Sequence, residues 1–247
     1  MVARYKICID PGHGGKDPGA VGNGLQEKNI ALSISLKVAE LLKAQGLDVI
    51  LTRNTDKFVD LTSARTPICD LSISIHVNAG GGQGLETWVA LYNRPAESKK
   101  LGQSIQDNIL KRVPFINRGI KNKKNSAGNA DYLYMLRQAK GVPVLIECGF
   151  IDSAVDAAIL RSENNLKKIA EGIAAGVMQY CGIQVIQEVL SMFKDVPKNH
   201  WAAGSIERLA KLGIIAGDGQ GNFNPDQPIT RAEVIALLDR VLKLLGK

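Results

Sequence analysis

Soft metal-ligating side chains are scarce: the 247 residues contain three histidines and four cysteines. The cysteines (Cys8, Cys69, Cys148, Cys181) nowhere form a CxxC pair, which argues against a cysteine zinc knuckle. Cys8 and Cys148 lie in apolar runs where a buried thiol is ordinary, so all four are expected as free thiols. No run of about 18 apolar residues exists, and membrane insertion is not expected. Aromatics are only 5% of the chain and no nucleic-acid motif is present, so nucleic acid is not an expected partner. The first residues, Met1-Val2-Ala3-Arg4-Tyr5, lack the apolar core and cleavage site of a secretory leader. The expectation is release by lysis or prior removal of a leader.

What is present fits a soluble globular chain, with 45% hydrophobic and 22% charged residues. The length accommodates one large α/β domain and a small appendage. The formal charge is +7, and the segment 94–124 alone holds nine basic residues against Glu97 and Asp107. Such clustering steers polyanions towards a surface, and an anionic cell wall suits it better than nucleic acid.

Residues 5–10 read as a buried strand ended by Pro11-Gly12. From Glu27 to Gln45, Ile30, Ile34, Val38, Leu41 and Leu42 share a helical face, and Gly46 closes the run. Further strands are expected over 47–52, 70–77, 85–91 and 142–148. Helices are expected over 98–113 and, as one long stretch, 153–180; residues 117–129 read as a loop. Strands alternating with helices imply a three-layer αβα fold, a mostly parallel sheet with helices on both faces. The pattern breaks near Gly182. The domain expectation is 1–182, a connector 183–192, and a small α-helical module 193–247 with helical patterns at 201–212 and 231–245.

His13 follows the first strand, His76 lies near the end of the third, Glu147 ends a later one, and Glu27 opens the first helix. Carboxyl ends of parallel strands share one edge, where ligands bind. Two imidazoles and two carboxylates are therefore expected at one rim. Two imidazoles and a carboxylate suit a catalytic zinc with an open fourth position, and a second carboxylate suits a general base. Each residue alone has an ordinary reading: a capping or packing histidine, a carboxylate at a helix N-terminus, half of a buried ion pair.

Seven stretches in order carry a resemblance: IDPGHGGKDPGA (9–20), EK (27–28), LTR (51–53), DLSISIHVNA (70–79), G-E-T-W (84–88), NADYLYMLR (129–137) and VLIECGFI (144–151). Residues 5–182 resemble the zinc-dependent N-acetylmuramoyl-L-alanine amidases of the amidase-3 family. The resemblance implies a twisted, mostly parallel sheet between helices. It implies one zinc ion held by His13, Glu27 and His76, with Glu147 as catalytic glutamate. It further implies hydrolysis of the amide between N-acetylmuramic acid and L-alanine in peptidoglycan. Two departures stand out: the short segment RTPICD (65–70), and Ser153 where the family often has asparagine. Asn78, Asp131 and Arg137 are candidate substrate contacts, while Arg53 and Arg65 read as structural ion-pair partners. Gly12, Gly14 and Gly15 are expected to permit tight backbone geometry beside the metal.

Residues 193–247 hold F-x-D-V, H-W-A, G-I-I-x-G, G-x-F-x-P and ITRAE in order, similar to a single S-layer homology module. That resemblance implies binding to a secondary cell-wall polysaccharide of Gram-positive walls, with Trp201, Gly217, Asp218 and Arg231 as candidate contacts. The competing reading makes Trp201 a core anchor and Arg231 a helix-start salt bridge. His200 belongs to the H-W-A motif and is left out of the zinc site. Such modules usually occur in threes; with one copy, self-association is the expected route to avidity. The expected protein is a peptidoglycan hydrolase acting at the Gram-positive wall, a phage endolysin or a bacterial autolysin. Its rivals are a catalytically inactive wall adhesin and a zinc peptidase cutting within the stem peptide.

Overall fold

Alternation in LSISIHVN sets up the central sheet: Ile73, Ile75 and Val77 are buried in the main core, while Ser72, Ser74, His76 and Asn78 take the other face. The computed structural model describes residues 5–62, 65–183, 193–197 and 200–244. The chain divides into two compact units, Met1–Val185 and Ile186–Lys247. Apart from Ile183, the expected connector lies outside the described residues.

In chain order the first unit comprises β1 (Lys6–Pro11), the short β2 (Val21–Gly22) and β3 (Leu25–Gln26), α1 (Glu27–Ala44), β4 (Asp48–Leu51), β5 (Leu71–Asn78) and β6 (Leu85–Val89). It continues with α2 (Pro95–Leu110), β7 (Asn117–Lys121), α3 (Tyr134–Gln138), β8 (Val142–Phe150), α4 (Ala154–Leu160) and α5 (Glu163–Tyr180). The six-stranded sheet has the order β4-β1-β5-β8-β6-β7. β4, β1, β5 and β8 run parallel; β6 is antiparallel to β8, and β7 is parallel to β6. The sheet is thus mostly parallel with flanking helices, as expected.

The main core joins the sheet to the long helices through Ile34, Val38 and Leu42 of α1, Leu101, Ile105 and Ile109 of α2, and Ile169, Ile173 and Val177 of α5. Burying each such aliphatic side chain contributes about 1.5–3 kcal/mol. A smaller cluster, Ala90, Met135, Leu136 and Leu145, joins α3 to the sheet.

Three expectations are corrected. Residues 117–121 form strand β7 and not loop, because they pair with β6. The helix expected over 153–180 is two helices, since Ser162 caps α5 by accepting from the Asn165 amide and breaks the run. Strand β8 continues two residues past Cys148, to Phe150 within GFI. The Ser153 departure is conservative in effect: its side chain caps α4 by accepting from the Asp156 amide.

In the second unit, α6 (Ala203–Lys211) and α7 (Arg231–Leu244) accompany a small core of Phe193, Val196 and Ile206. The ITRAE stretch contains a reciprocal cap. Thr230 Oγ1 accepts from the Glu233 amide at 3.2 Å, and the Thr230 amide donates to Glu233 Oε2 at 2.8 Å.

Candidate metal centre

The turn after β1 brings the first imidazole into place. His13 has φ 59°, a left-handed conformation that costs a non-glycine residue about 1–3 kcal/mol. Reciprocal backbone bonds between Gly14 and Asp17 hold the turn, and Asp17 Oδ2 meets His13 Nδ1 at 2.8 Å. That contact aims His13 Nε2 at Glu27 Oε2, 3.2 Å away. Side chains are excluded at two surrounding positions. A Cβ on Gly12 would lie 2.5 Å from His76 Cε1, and one on Gly19 would lie 2.6 Å from both Glu27 Oε2 and His13 Cδ2. Gly19 was not anticipated from the sequence.

Glu27 is the first residue of α1 and is buried. Its Oε2 accepts from the Ala20 amide at 2.8 Å and its Oε1 from the Val77 amide at 3.0 Å. His76 Nδ1 lies 2.9 Å from Glu27 Oε1, and the two imidazoles are 5.1 Å apart edge to face. One ligand atom from each of His13, Glu27 and His76 falls within 4.8 Å of the others, a set able to hold a metal ion. Burial pushes Glu27 up, yet the two imidazoles hold its carboxyl well below the usual range. Burial pulls His13 down, but the bonds and charges of Glu27 and Asp17 carry it up to about 9.

Glu147 on β8 is the register neighbour of His76 on β5. On its other side it faces Glu86 of β6. Its Oε2 is buried without a hydrogen-bond partner among the described residues. Burial first, opposed by His76 and reinforced by Glu27 and Glu86, raises Glu147 to about 7. A carboxyl with an orphaned oxygen beside three potential ligands is poised to exchange a proton with a bound water or substrate.

Other expected residues fall elsewhere. Asn78 Nδ2 donates to Glu86 Oε1 at 3.0 Å, which places it beside the site. Asp131 is buried and accepts from the amides of Leu91 and Tyr92, and Arg137 donates to the Asp131 and Tyr132 carbonyls. Because β6 pairs Leu85 with Cys148 and Val89 with Val144, its antiparallel course carries Leu91 to the opposite sheet edge, roughly 16 Å from Glu147 at 3.3 Å per residue. The expectation that Asp131 and Arg137 line the substrate groove is therefore corrected: they brace a far loop.

Arg65 does form the expected ion pair, with Nε and Nη2 on the two oxygens of Asp10 at 2.8 and 2.6 Å. Arg53 instead donates to the carbonyls of Pro11, Gly12, Lys28 and Thr55, clamping the His13 turn. The sequence gives no role to Glu86, Asp17 or Arg118; Glu86 accepts from Trp88 Nε1 at 3.1 Å and from Arg118 Nε at 2.7 Å.

In the second unit Trp201 is 90% exposed, so its indole is no core anchor. Arg231 is also exposed and makes no ion pair among the described residues. Gly217 is held tight against Asn222 and Phe193, and Asp218 organises its turn by accepting from Gln220 and Asn222. No hydrogen bond or ion pair links these four among the described residues. The four cysteines are free thiols, with Cys8, Cys69 and Cys148 buried.

Comparison with known proteins places the chain in a family. The family model described as N-acetylmuramoyl-L-alanine amidase matches residues 7–179, and the S-layer homology domain matches residues 193–235. A sporulation-specific N-acetylmuramoyl-L-alanine amidase of Bacillus subtilis (strain 168) is 36% identical over 180 residues, covering 70% of this chain and 67% of the relative. An endolysin of Bacillus phage SPP1 is 36% identical over 187 residues, covering 72% of this chain and 66% of its own length. The solved N-acetylmuramoyl-L-alanine amidase AmiC2 of Nostoc punctiforme superposes with TM-score 0.63 at 30% identity, covering 74% of this chain and 99% of that one. The chain belongs to the N-acetylmuramoyl-L-alanine amidase family and carries an S-layer homology domain after the amidase domain.

Proposed function

We propose that the first unit hydrolyses the amide between N-acetylmuramic acid and L-alanine of peptidoglycan, with one zinc ion held by His13, Glu27 and His76 and with Glu147 as general base and acid. The observation that carries this reading is the buried, unpartnered Oε2 of Glu147 beside three ligand atoms within 4.8 Å of one another. Two imidazoles and a carboxylate are a donor set for catalytic zinc, and when bound the ion supplies Lewis acidity and lowers the pKa of water to about 7. Asp17 fixes His13 so that Nε2 faces the site, the usual orienting contact for a ligating imidazole. Glu147 takes a proton from the attacking water as the new C–O bond forms. It then gives that proton to the alanine nitrogen as the C–N bond breaks.

Mass spectrometry of digested Gram-positive walls tests the bond assignment. Free lactyl carboxyls with new L-alanine amino termini are expected; cuts between amino acids would make the protein a peptidase.

The second unit reads as the wall-attachment module, directed to a secondary cell-wall polysaccharide through exposed Trp201 and Arg231, with Gly217 and Asp218 shaping the nearby turn. An indole face and a guanidinium fork suit a sugar bearing an anionic group. Site of action would then be the Gram-positive wall. Val234, Ile235, Leu238 and Leu242 leave an exposed apolar stripe on α7, the expected surface for self-association. Sedimentation showing only monomer at working concentration would remove that part.

A further inference from the structure

The row His76–Glu147–Glu86 continues onto β7, and its last member is unexplained by the hydrolysis itself. Leu85 pairs with Asn117 but Thr87 pairs with Ile120, so Arg118 and Gly119 together stand opposite Glu86. Such a bulge re-aims a side chain. Here it directs Arg118 Nε to Glu86 Oε2 at 2.7 Å and sets the guanidinium 4.7 Å from the Phe150 ring centre. The anchoring carboxylate is only 5% exposed and is itself fixed by Asn78 and Trp88. Arg118 remains 35% exposed, and Nη1 and Nη2 have no hydrogen-bond partner among the described residues. A guanidinium held rigidly at one nitrogen and open at two is preorganised for a carboxylate.

We propose that Arg118 is a specificity residue that binds a free carboxylate of the stem peptide, two residues beyond the cleaved amide. This rests on the amidase reading above. Glu147 returns its proton to the alanine nitrogen, so the peptide leaves on Glu147's side of the metal ligands, towards β6 and β7. Strand β7 lies two strand spacings from β8, about 10 Å. The Arg118 side chain reaches back over β6 to Glu86, which is one strand spacing from Glu147; two residues of extended peptide cover about 7 Å, so the second residue's carboxylate reaches the guanidinium. In a stem whose second residue is a γ-linked glutamate, the group presented is the α-carboxylate, which an amidated stem replaces with a neutral carboxamide.

The test compares two soluble muropeptides that differ only in that group, with kcat and KM measured separately. The wild-type protein is expected to favour the carboxylate form by about tenfold in kcat/KM, mainly through KM, the scale of one charge-assisted hydrogen bond. Arg118→Ala is expected to abolish that preference, bringing the two kcat/KM values together, and Arg118→Lys to restore part of it. Equal kcat/KM for the two forms in the wild-type protein, which requires no folded variant, would overturn the proposal, as would a preference that survives in Arg118→Ala. Cleavage of neither form, or cleavage at another bond, would overturn the amidase reading and this inference with it.

Discussion

With His13 as a zinc ligand, as proposed, protons and the metal would compete for its imidazole. In the metal-free protein the side chains of Glu27 and Asp17 raise His13 from 6.5 to about 9. A raised base contributes stability that is full below about pH 6.5 and is lost as pH climbs through about 9. Glu147, raised from 4.5 to about 7, acts in the same direction, because burial disfavours its ionised form above its ordinary value. Zinc needs the deprotonated imidazole. The rise in Tm on adding zinc should therefore be larger at about pH 8.5 than at about pH 6; an equal or reversed gain in calorimetry would contradict this assignment. His13, Glu27, His76 and Glu147 were legible because short motifs mark them at strand ends and a helix start. Glu86 lies in the G-E-T-W stretch, but nothing there names its partners, and Arg118 reaches the row only through a bulge that leaves no mark in local sequence.

Element by element, the polar face of β5 is held by one buried network. Asp10 on β1 is fully buried and takes both Arg65 bonds along with the hydroxyls of Thr52 and Ser74. Arg65→Ala would leave that carboxylate buried without its counter-charge, a loss of about 3–5 kcal/mol. Denaturant titration checks this, and a loss under about 1 kcal/mol would show the pair to be incidental. Helix α1 and strands β1, β5 and β8 were legible from apolar periodicity and from the Gly and Pro that stop them. What periodicity does not encode is strand direction. The reversal of β6 moved Asp131 and Arg137 from an expected groove to the opposite edge, and β7, with only Ile120 strongly apolar, looked like loop until paired.

For the whole molecule, the two units answer to different forces. The first has a large apolar core and the polar site; the second has a small core around Phe193, Val196 and Ile206 and presents Trp201, Arg231 and the apolar stripe of α7 to solvent. Removing 193–247 is expected to leave cleavage of soluble muropeptides within about twofold while reducing retention on purified walls. Undiminished retention in a pull-down would take wall attachment away from the second unit. Order and number of motifs made the two-part organisation readable, whereas the exposure of Trp201 required the fold.

The most direct test of the central claim is to measure zinc content and turnover on the same preparation of Glu147→Gln. Glu147 touches none of the described ligands through a hydrogen bond, so the variant is expected to retain about one zinc per chain, the stoichiometry of a single three-ligand site. Turnover should fall by about 10²–10⁴-fold, the contribution of a positioned general base. Full zinc content with undiminished amide cleavage would contradict the account.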